Sequence, residues 1–297
     1  MLAPLKADSA SPAWGAFWSE SDLDGCTRAF PTEARDRIAL GWSRAFAGAG
    51  TRGSVLDLAC GKGAVLRYAA AAGFAPLKGI DIAPTASLAG GPFDLSGNIN
   101  AGALPFPDQS FDVVVSQFGV EYAELRKAVD EAARVSRSAV VLLTHAADGV
   151  VVVQSREQVA QIDWLDKVRA FARMRTYVES RLPVAADDVE KLAHEIVKQA
   201  GGAENVSLLE ALYRCASGLR TDPVPLVSLD ALEYGMRDHA VRLRQLIRAA
   251  PAPYEVEAAA GVLRNKGFEV EIRPEGRGAI PPLVGRWVIA RRTGSKS

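Results

Sequence analysis

VLDLACGKG, residues 55–63, runs a short apolar strand into a turn nearly bare of side chains, with Asp57 set just before it. Glycines at 61 and 63 let a backbone come close to a ligand. Two common phosphate cradles fail on spacing. A dinucleotide fingerprint needs a third glycine three residues after the second, where Leu66 stands. A P-loop needs Gly-Lys-Ser/Thr after four intervening residues, and Lys62 is followed by Gly63. The turn therefore reads as a ligand contact without the demands of a pyrophosphate.

Working outward, short Val/Leu/Ile runs alternate with helical stretches. Residues 55–58, 77–82, 111–116 and 139–144 read as buried strands, with a third apolar stretch near 98–101. Residues 64–72 and 124–135 have helical spacing. Near-continuous apolar strands separated by helices predict a parallel sheet covered on both faces. The alternation then stops. Residues 151–252 read as four helices, two of them opened by the boxes Ser155-x-x-Gln158 and Asp187-x-x-Glu190. Their apolar spacing runs through Ile162, Leu165 and Val168, then Val189, Leu192 and Ile196, then Leu232, Met236 and Leu243. A last helix at 254–266 and strands at 268–272 and 287–290 follow. Residues 1–50 are helical in character and rich in aromatics.

The 35 basic and 35 acidic side chains cancel, so no global field draws the chain to nucleic acid or anionic membrane. The basic runs KVRAFARMR (167–175) and RDHAVRLRQLIR (237–248) lie in a segment, 151–252, with 14 charges of each sign, and read as solvated helix faces. Cys26, Cys60 and Cys215 are odd in number, far apart and without zinc spacing, which fits reduced thiols in a cytoplasm; no metal site is expected. Cys60 reads as a small filler of the turn. No apolar run reaches the roughly 20 residues of a membrane span.

Four stretches in order resemble the class I S-adenosylmethionine-dependent methyltransferases, and within them the small-molecule subgroup. VLDLACGKG is similar to their first motif, Asp-x-Gly-x-Gly-x-Gly, with Ala59 in place of the first glycine. GIDI (79–82) is similar to the second. NAGALPFPDQSFDVVVS (100–116) resembles the segment leading into the fourth strand, and LRNKGFEVEI (263–272) the last helix and sixth strand. The resemblance spans 51–145 and 253–292. It implies a Rossmann-like fold with a mainly parallel seven-stranded sheet, helices on both faces and a closing antiparallel hairpin, into which the helical residues 151–252 read as an insert after strand five.

It also implies S-adenosylmethionine as cofactor and methyl transfer to an O, N or C nucleophile of a small molecule. A tRNA or lipid acceptor, or binding without turnover, remains as an alternative. By position, Asp81 would accept the ribose hydroxyls, with Ile82 beside it. Gly61, Gly63 and Ala59 would approach ribose and methionine, and Asp57 the amino group. Asn100 and Ala101 would meet adenine, and Gln117 and Phe118 would floor the donor site after Ser116. His145, past strand five, is a candidate general base or a strand-end cap. Glu121 and Tyr122 are candidate acceptor-side contacts with it, and His239 reads as a core or cavity-lining histidine. The expected organisation is an N-terminal helical segment (1–50), a cofactor-binding domain (51–150 with 253–297) and a helical cap (151–252). A homodimer is left open, with a dimerisation arm as the competing role of 151–252.

Overall fold

The computed structural model describes residues 12–22, 24–28, 30–49, 52–89, 93–219, 226–276 and 282–292. The chain divides into two compact units, residues 1–152 with 248–297, and residues 153–247.

The first unit carries a seven-stranded sheet. Its strands are β1 (Val55–Leu58), β2 (Leu77–Ile80), β3 (Asp94–Ser96), β4 (Phe111–Gln117), β5 (Ser136–His145), β6 (Phe268–Glu275) and β7 (Gly285–Arg292). They lie in the order β3-β2-β1-β4-β5-β7-β6. The first five run parallel, while β7 is antiparallel to both β5 and β6. The order reverses at β1, between β2 and β4, and in such sheets ligands bind beyond the strand carboxyl ends at that reversal. The family-implied fold is therefore present. One strand differs from the sequence reading: β3 is Asp94–Ser96, and the apolar stretch 98–101 is the loop after it. Asn98 takes a left-handed φ of 59°, and such a residue ends a strand rather than extending it.

Strand side chains alternate between two cores. Leu56, Leu58, Val114, Val140, Leu142 and Val288 face one of them. There they meet Ala128, Val129 and Ala132 of α5 (Leu125–Val135), and Val256, Ala259 and Leu263 of α11 (Pro253–Asn265). Val55, Val113, Val115, Val141, Leu143 and Trp287 face the other. Ile38, Trp42 and Phe46 of α2 (Thr32–Ala47) and Val65, Leu66 and Ala69 of α3 (Ala64–Ala71) cover it. Helix α2 comes unusually near the sheet. A Cβ at Gly41 would stand 2.5 Å from the Trp287 ring, so only glycine admits that approach. Trp42, next along, meets Trp287 edge to face at 5.0 Å, and both indoles are fully buried. The N-terminal segment adds α1 (Pro12–Glu20), which packs on α4 (Thr85–Leu88).

The second unit contains five helices among its described residues, not four. They are α6 (Val150–Lys167, which begins in the first unit), α7 (Ala170–Ser180), α8 (Pro183–Ala200), α9 (Ser207–Gly218) and α10 (Leu226–Ala249). Arg169 at φ 55° breaks α6 from α7, and Arg181, also at φ 55°, separates α7 from α8. The two expected capping boxes lie inside helices. α6 already runs through Ser155, and α8 opens at Pro183, which suits a first helical position because its missing N–H is unpaired there anyway. Ile162, Leu165, Met174, Val189, Leu192, Ile196 and Met236 form its core. Leu232, expected in the apolar stripe of α10, is exposed; Leu229 takes that inward place.

The basic runs are paired across helices. Arg173 binds Asp188 and Glu195, Arg175 binds Asp230 and Glu233, and Arg244 binds Asp163. His239 shares a hydrogen bond with Gln158 at 3.0 Å, and burial lowers its pKa. No helix among the described residues is long and apolar enough to cross a membrane.

Ser116 ties the ends of β1 and β4 together. Its hydroxyl, fully buried, donates to the Leu58 carbonyl (2.8 Å) and accepts from the Val120 N–H (3.0 Å). Ser116→Ala leaves both groups without that partner, and each unmet buried group costs on the order of 1–3 kcal/mol. The variant is expected to lower the urea midpoint of the sheet unit, read from the near-UV signal of buried Trp42 and Trp287. An unchanged midpoint would show that the bridge carries no stability.

Candidate cofactor and acceptor site

The site grows from the carboxyl ends of β1, β2 and β4. After Leu58 the chain turns through three left-handed residues, Ala59 (φ 53°), Gly61 (φ 51°) and Gly63 (φ 82°), and enters α3. Glycine takes this region without cost, whereas Ala59 holds it against its own Cβ. The turn is fixed by Asp81, which follows β2. Its Oδ2 accepts the Gly61 N–H (2.9 Å) and its Oδ1 the Ala83 N–H (2.8 Å). Burial raises the Asp81 pKa while those N–H groups pull it down, and the net direction is upward.

Asp57, on β1, is 1% exposed, and neither of its carboxylate oxygens has a hydrogen-bond partner. Burial first, then the Asp81 charge, pushes its pKa well above the usual range. A buried acid without partners marks a place where a cation or donor is expected.

These groups open into a cavity lined by Asp57, Ala59, Asp81, Ile82, Gln117, Phe118 and Tyr122, with Trp14, Trp18, Asp24, Cys26 and Thr27 from the N-terminal segment. No Lys, Arg or His lines it among the described residues. Trp18 lies against the turn so closely that a Cβ on Gly61 would stand 2.3 Å from its ring. Trp14 meets Tyr122 edge to face at 5.2 Å. Cys60 and Cys26 both border the cavity as protonated thiols. Burial raises both, Cys26 to about 12.

The structure therefore brings together Asp57, Ala59, Asp81, Ile82, Gln117, Phe118 and Tyr122. Gly61 and Gly63 shape the turn beneath, Gly63 against Phe93. Asn100 and Ala101 are not among the lining residues. Asn100 spends its Oδ1 on the Gly102 N–H (2.8 Å), and Ala101 is buried in the core. Glu121 and His145 stand one layer behind the wall. The fully buried Glu121 side chain accepts both the His145 backbone N–H and its ring Nδ1 at 2.8 Å through Oε1. The His145 ring lies 4.5 Å from that of Phe118 and 6.3 Å from that of Tyr122. Asp24, Cys26 and Thr27 are lining residues that sequence reasoning missed. They sit in a non-periodic turn after α1, which carries no motif.

The family model described as a methyltransferase domain matches residues 56–144, the stretch that builds this site. This segment is similar to a methyltransferase domain. The methyl donor of that family is S-adenosylmethionine. Among solved structures, a Haloferax volcanii methyltransferase in complex with the Trm112 methyltransferase activator is 22% identical, over 45% of this chain and 60% of that one (TM-score 0.36). Magnesium protoporphyrin IX methyltransferase from Synechocystis PCC 6803, with bound S-adenosylmethionine, is 11% identical over 99% and 100% (TM-score 0.46). The plantazolicin methyltransferase BpumL, with S-adenosylhomocysteine, is 12% identical over 94% and 95% (TM-score 0.45). The chain thus spans 60% of the first of these relatives. No curated protein sequence matches it.

The donor set fits this cofactor. Its sulfonium and ammonium are positive, and the cavity offers carboxyl groups and aromatic faces but, among the described residues, no base that would welcome a pyrophosphate.

The buried Asp57 carboxyl makes a signed pH prediction. In the folded chain it favours the protonated form, whereas in the unfolded chain it ionises above about pH 4. Rising pH through that range therefore favours unfolding through this group. Asp57→Asn removes the effect. Its melting temperature is expected to match wild type below about pH 4 and to exceed it increasingly as pH rises above that range. Its affinity for S-adenosylhomocysteine should fall. A pH-independent difference in melting temperature would contradict this reading of Asp57.

Proposed function

We propose that the chain transfers the methyl group of S-adenosylmethionine to an O, N or C nucleophile of a small molecule. The observation that carries this is the partnerless Asp57 beside Asp81, in an aromatic cavity with no basic lining residue among the described ones. When bound, the cofactor supplies an already activated methyl group. The protein's own work is then to hold, orient and dry the site.

Each side chain has a task in this reading. Every Asp81 oxygen has spent one lone pair on a backbone N–H and keeps another for a ribose hydroxyl. Asp57 meets the ammonium. Trp14, Trp18, Phe118 and Tyr122 exclude water and offer ring faces to the sulfonium. For an acceptor that keeps its proton at neutral pH, His145 is the candidate base, with Glu121 holding its Nδ1–H so that Nε2 can accept. The helical insert is assigned the role of acceptor cap, on its place in the chain directly after β5.

Calorimetry provides the first test. S-adenosylhomocysteine is expected to bind at micromolar levels or better, and NAD and ATP not to bind. Tighter binding of NAD would sink the proposal. Asp81→Asn keeps one acceptor oxygen but loses the charge and the second oxygen. Charge-assisted bonds are worth about 1.5–3 kcal/mol each, so affinity should drop at least tenfold.

Joining Val152 to Arg248 by a short Gly/Ser linker tests the insert separately. Retained S-adenosylhomocysteine binding without turnover supports a cap. A shortened chain that still methylates, now as a monomer, supports a dimerisation arm.

A further inference from the structure

A second cleft adjoins the cofactor cavity and shares Asp24, Thr27, Ala64 and Gln117 with it. Its further walls are Thr32, Arg35, Asp36, Ile38 and Ala39 of α2, and Arg67 and Tyr68 of α3. Among the described residues the cofactor cavity has no basic side chain, whereas this cleft has two guanidinium groups. Resting on the methyl-transfer reading above, we infer that this cleft admits the acceptor, and that the acceptor carries a carboxylate or phosphate.

Gln117 sits where the two spaces meet, and the core fixes which way its amide points. The indole N–H of the fully buried Trp42 can only donate, and it reaches Gln117 Oε1 at 2.5 Å. The amide oxygen is therefore committed to the core, and the NH2 group is left to face a ligand. Whatever meets the Gln117 NH2 group from the clefts must accept hydrogen bonds, as an oxyanion, carbonyl or ether oxygen does.

Arg35 supplies the charge. It is exposed, its side-chain hydrogen bond goes to Thr32 Oγ1 (3.3 Å), and it pairs with no carboxylate among the described residues. Arg67 is partly committed, with Nη2 on Asp24 Oδ1 at 2.7 Å and its guanidinium 5.5 Å from the Tyr68 ring centre. Asp24 and Asp36 keep the formal charge of the cleft balanced, so recognition rests on local pairing with a fork of donors, not on a long-range field. Ile38, Ala39 and the Tyr68 ring give the body of the acceptor an apolar and aromatic surface.

The test uses the full chain saturated with S-adenosylhomocysteine, so that the cofactor's own carboxylate is already placed. Benzoate, phenyl phosphate and neutral benzamide are titrated by calorimetry. At least one anion is expected to bind ten times more tightly than benzamide, and the better of the two tells carboxylate from phosphate. Arg35→Ala and Gln117→Glu should each weaken that anion at least fivefold. Gln117→Glu keeps an oxygen for Trp42, so its folding is preserved while the donor becomes a charge of the wrong sign. Equal binding of benzamide, or no binding of either anion, overturns the inference. So does an Arg35→Ala variant that weakens S-adenosylhomocysteine instead of the anion, which would assign the guanidinium to the cofactor. The saturating titration itself reports on the methyl-transfer reading, so the two failures are told apart.

Discussion

Two carboxylates buried at the ends of neighbouring parallel strands govern the rest of this site. β1 and β2 pair in register, which sets Asp57 and Asp81 close together where the sheet order reverses. Asp81 answers its burial by taking two backbone N–H groups, and one of them belongs to the glycine turn itself. The acid thus shapes the turn, and the left-handed residues of the turn aim that N–H at the acid. Asp57 has no such relief. A cation at the floor of such a cavity would favour ionisation of both acids, whatever the identity of the acceptor.

The helical layer beneath the sheet is part of the same arrangement. Gly41 lets α2 settle against Trp287, and this brings Trp42 under the end of β4. The Trp42 N–H needs an acceptor inside the core and finds it in Gln117. Trp287 does likewise, donating to Glu275 at 2.7 Å, which also receives Arg37 at 3.1 Å. Each indole buries a large apolar area and fixes one polar partner. Packing that stabilises the fold consequently also orients a side chain that lines both cavities.

Much of this was legible in the sequence, for identifiable reasons. The central strands β1, β4 and β5 are buried on both faces and so read as near-continuous apolar runs, which is why they could be placed. β3 escaped because it is a three-residue strand, Asp-Leu-Ser, at the sheet edge, where no burial demands an apolar run. The glycine turn and Asp81 were legible because left-handed backbone and strand-end acids leave a spaced signature. Asp24, Cys26 and Thr27 were not, since a turn of mixed polar residues has no period. The helices of the second unit show the limit of local signals. Ser155 and Asp187 make plausible caps by residue type, yet Val150 and Pro183 start the helices, because apolar burial at Val152 and Ala185 extends them upstream.

The placement of Glu121 and His145 bears on where the acceptor can react. Their hydrogen-bonded pair is buried at the end of β5, and the ring of Phe118, itself held at a left-handed φ of 53°, lies between it and the cavity floor. An acceptor that deprotonates readily needs nothing from this pair. Then Glu121 and His145 serve to hold Phe118 and Tyr122 in place as walls, and the second carboxylate oxygen of Glu121 is left unpaired as a structural cost. On the proposed reading, an acceptor with a firmly held proton needs His145 Nε2, and the Phe118 ring stands against that histidine. On that reading, the Phe118 wall is the element whose position separates the two chemistries.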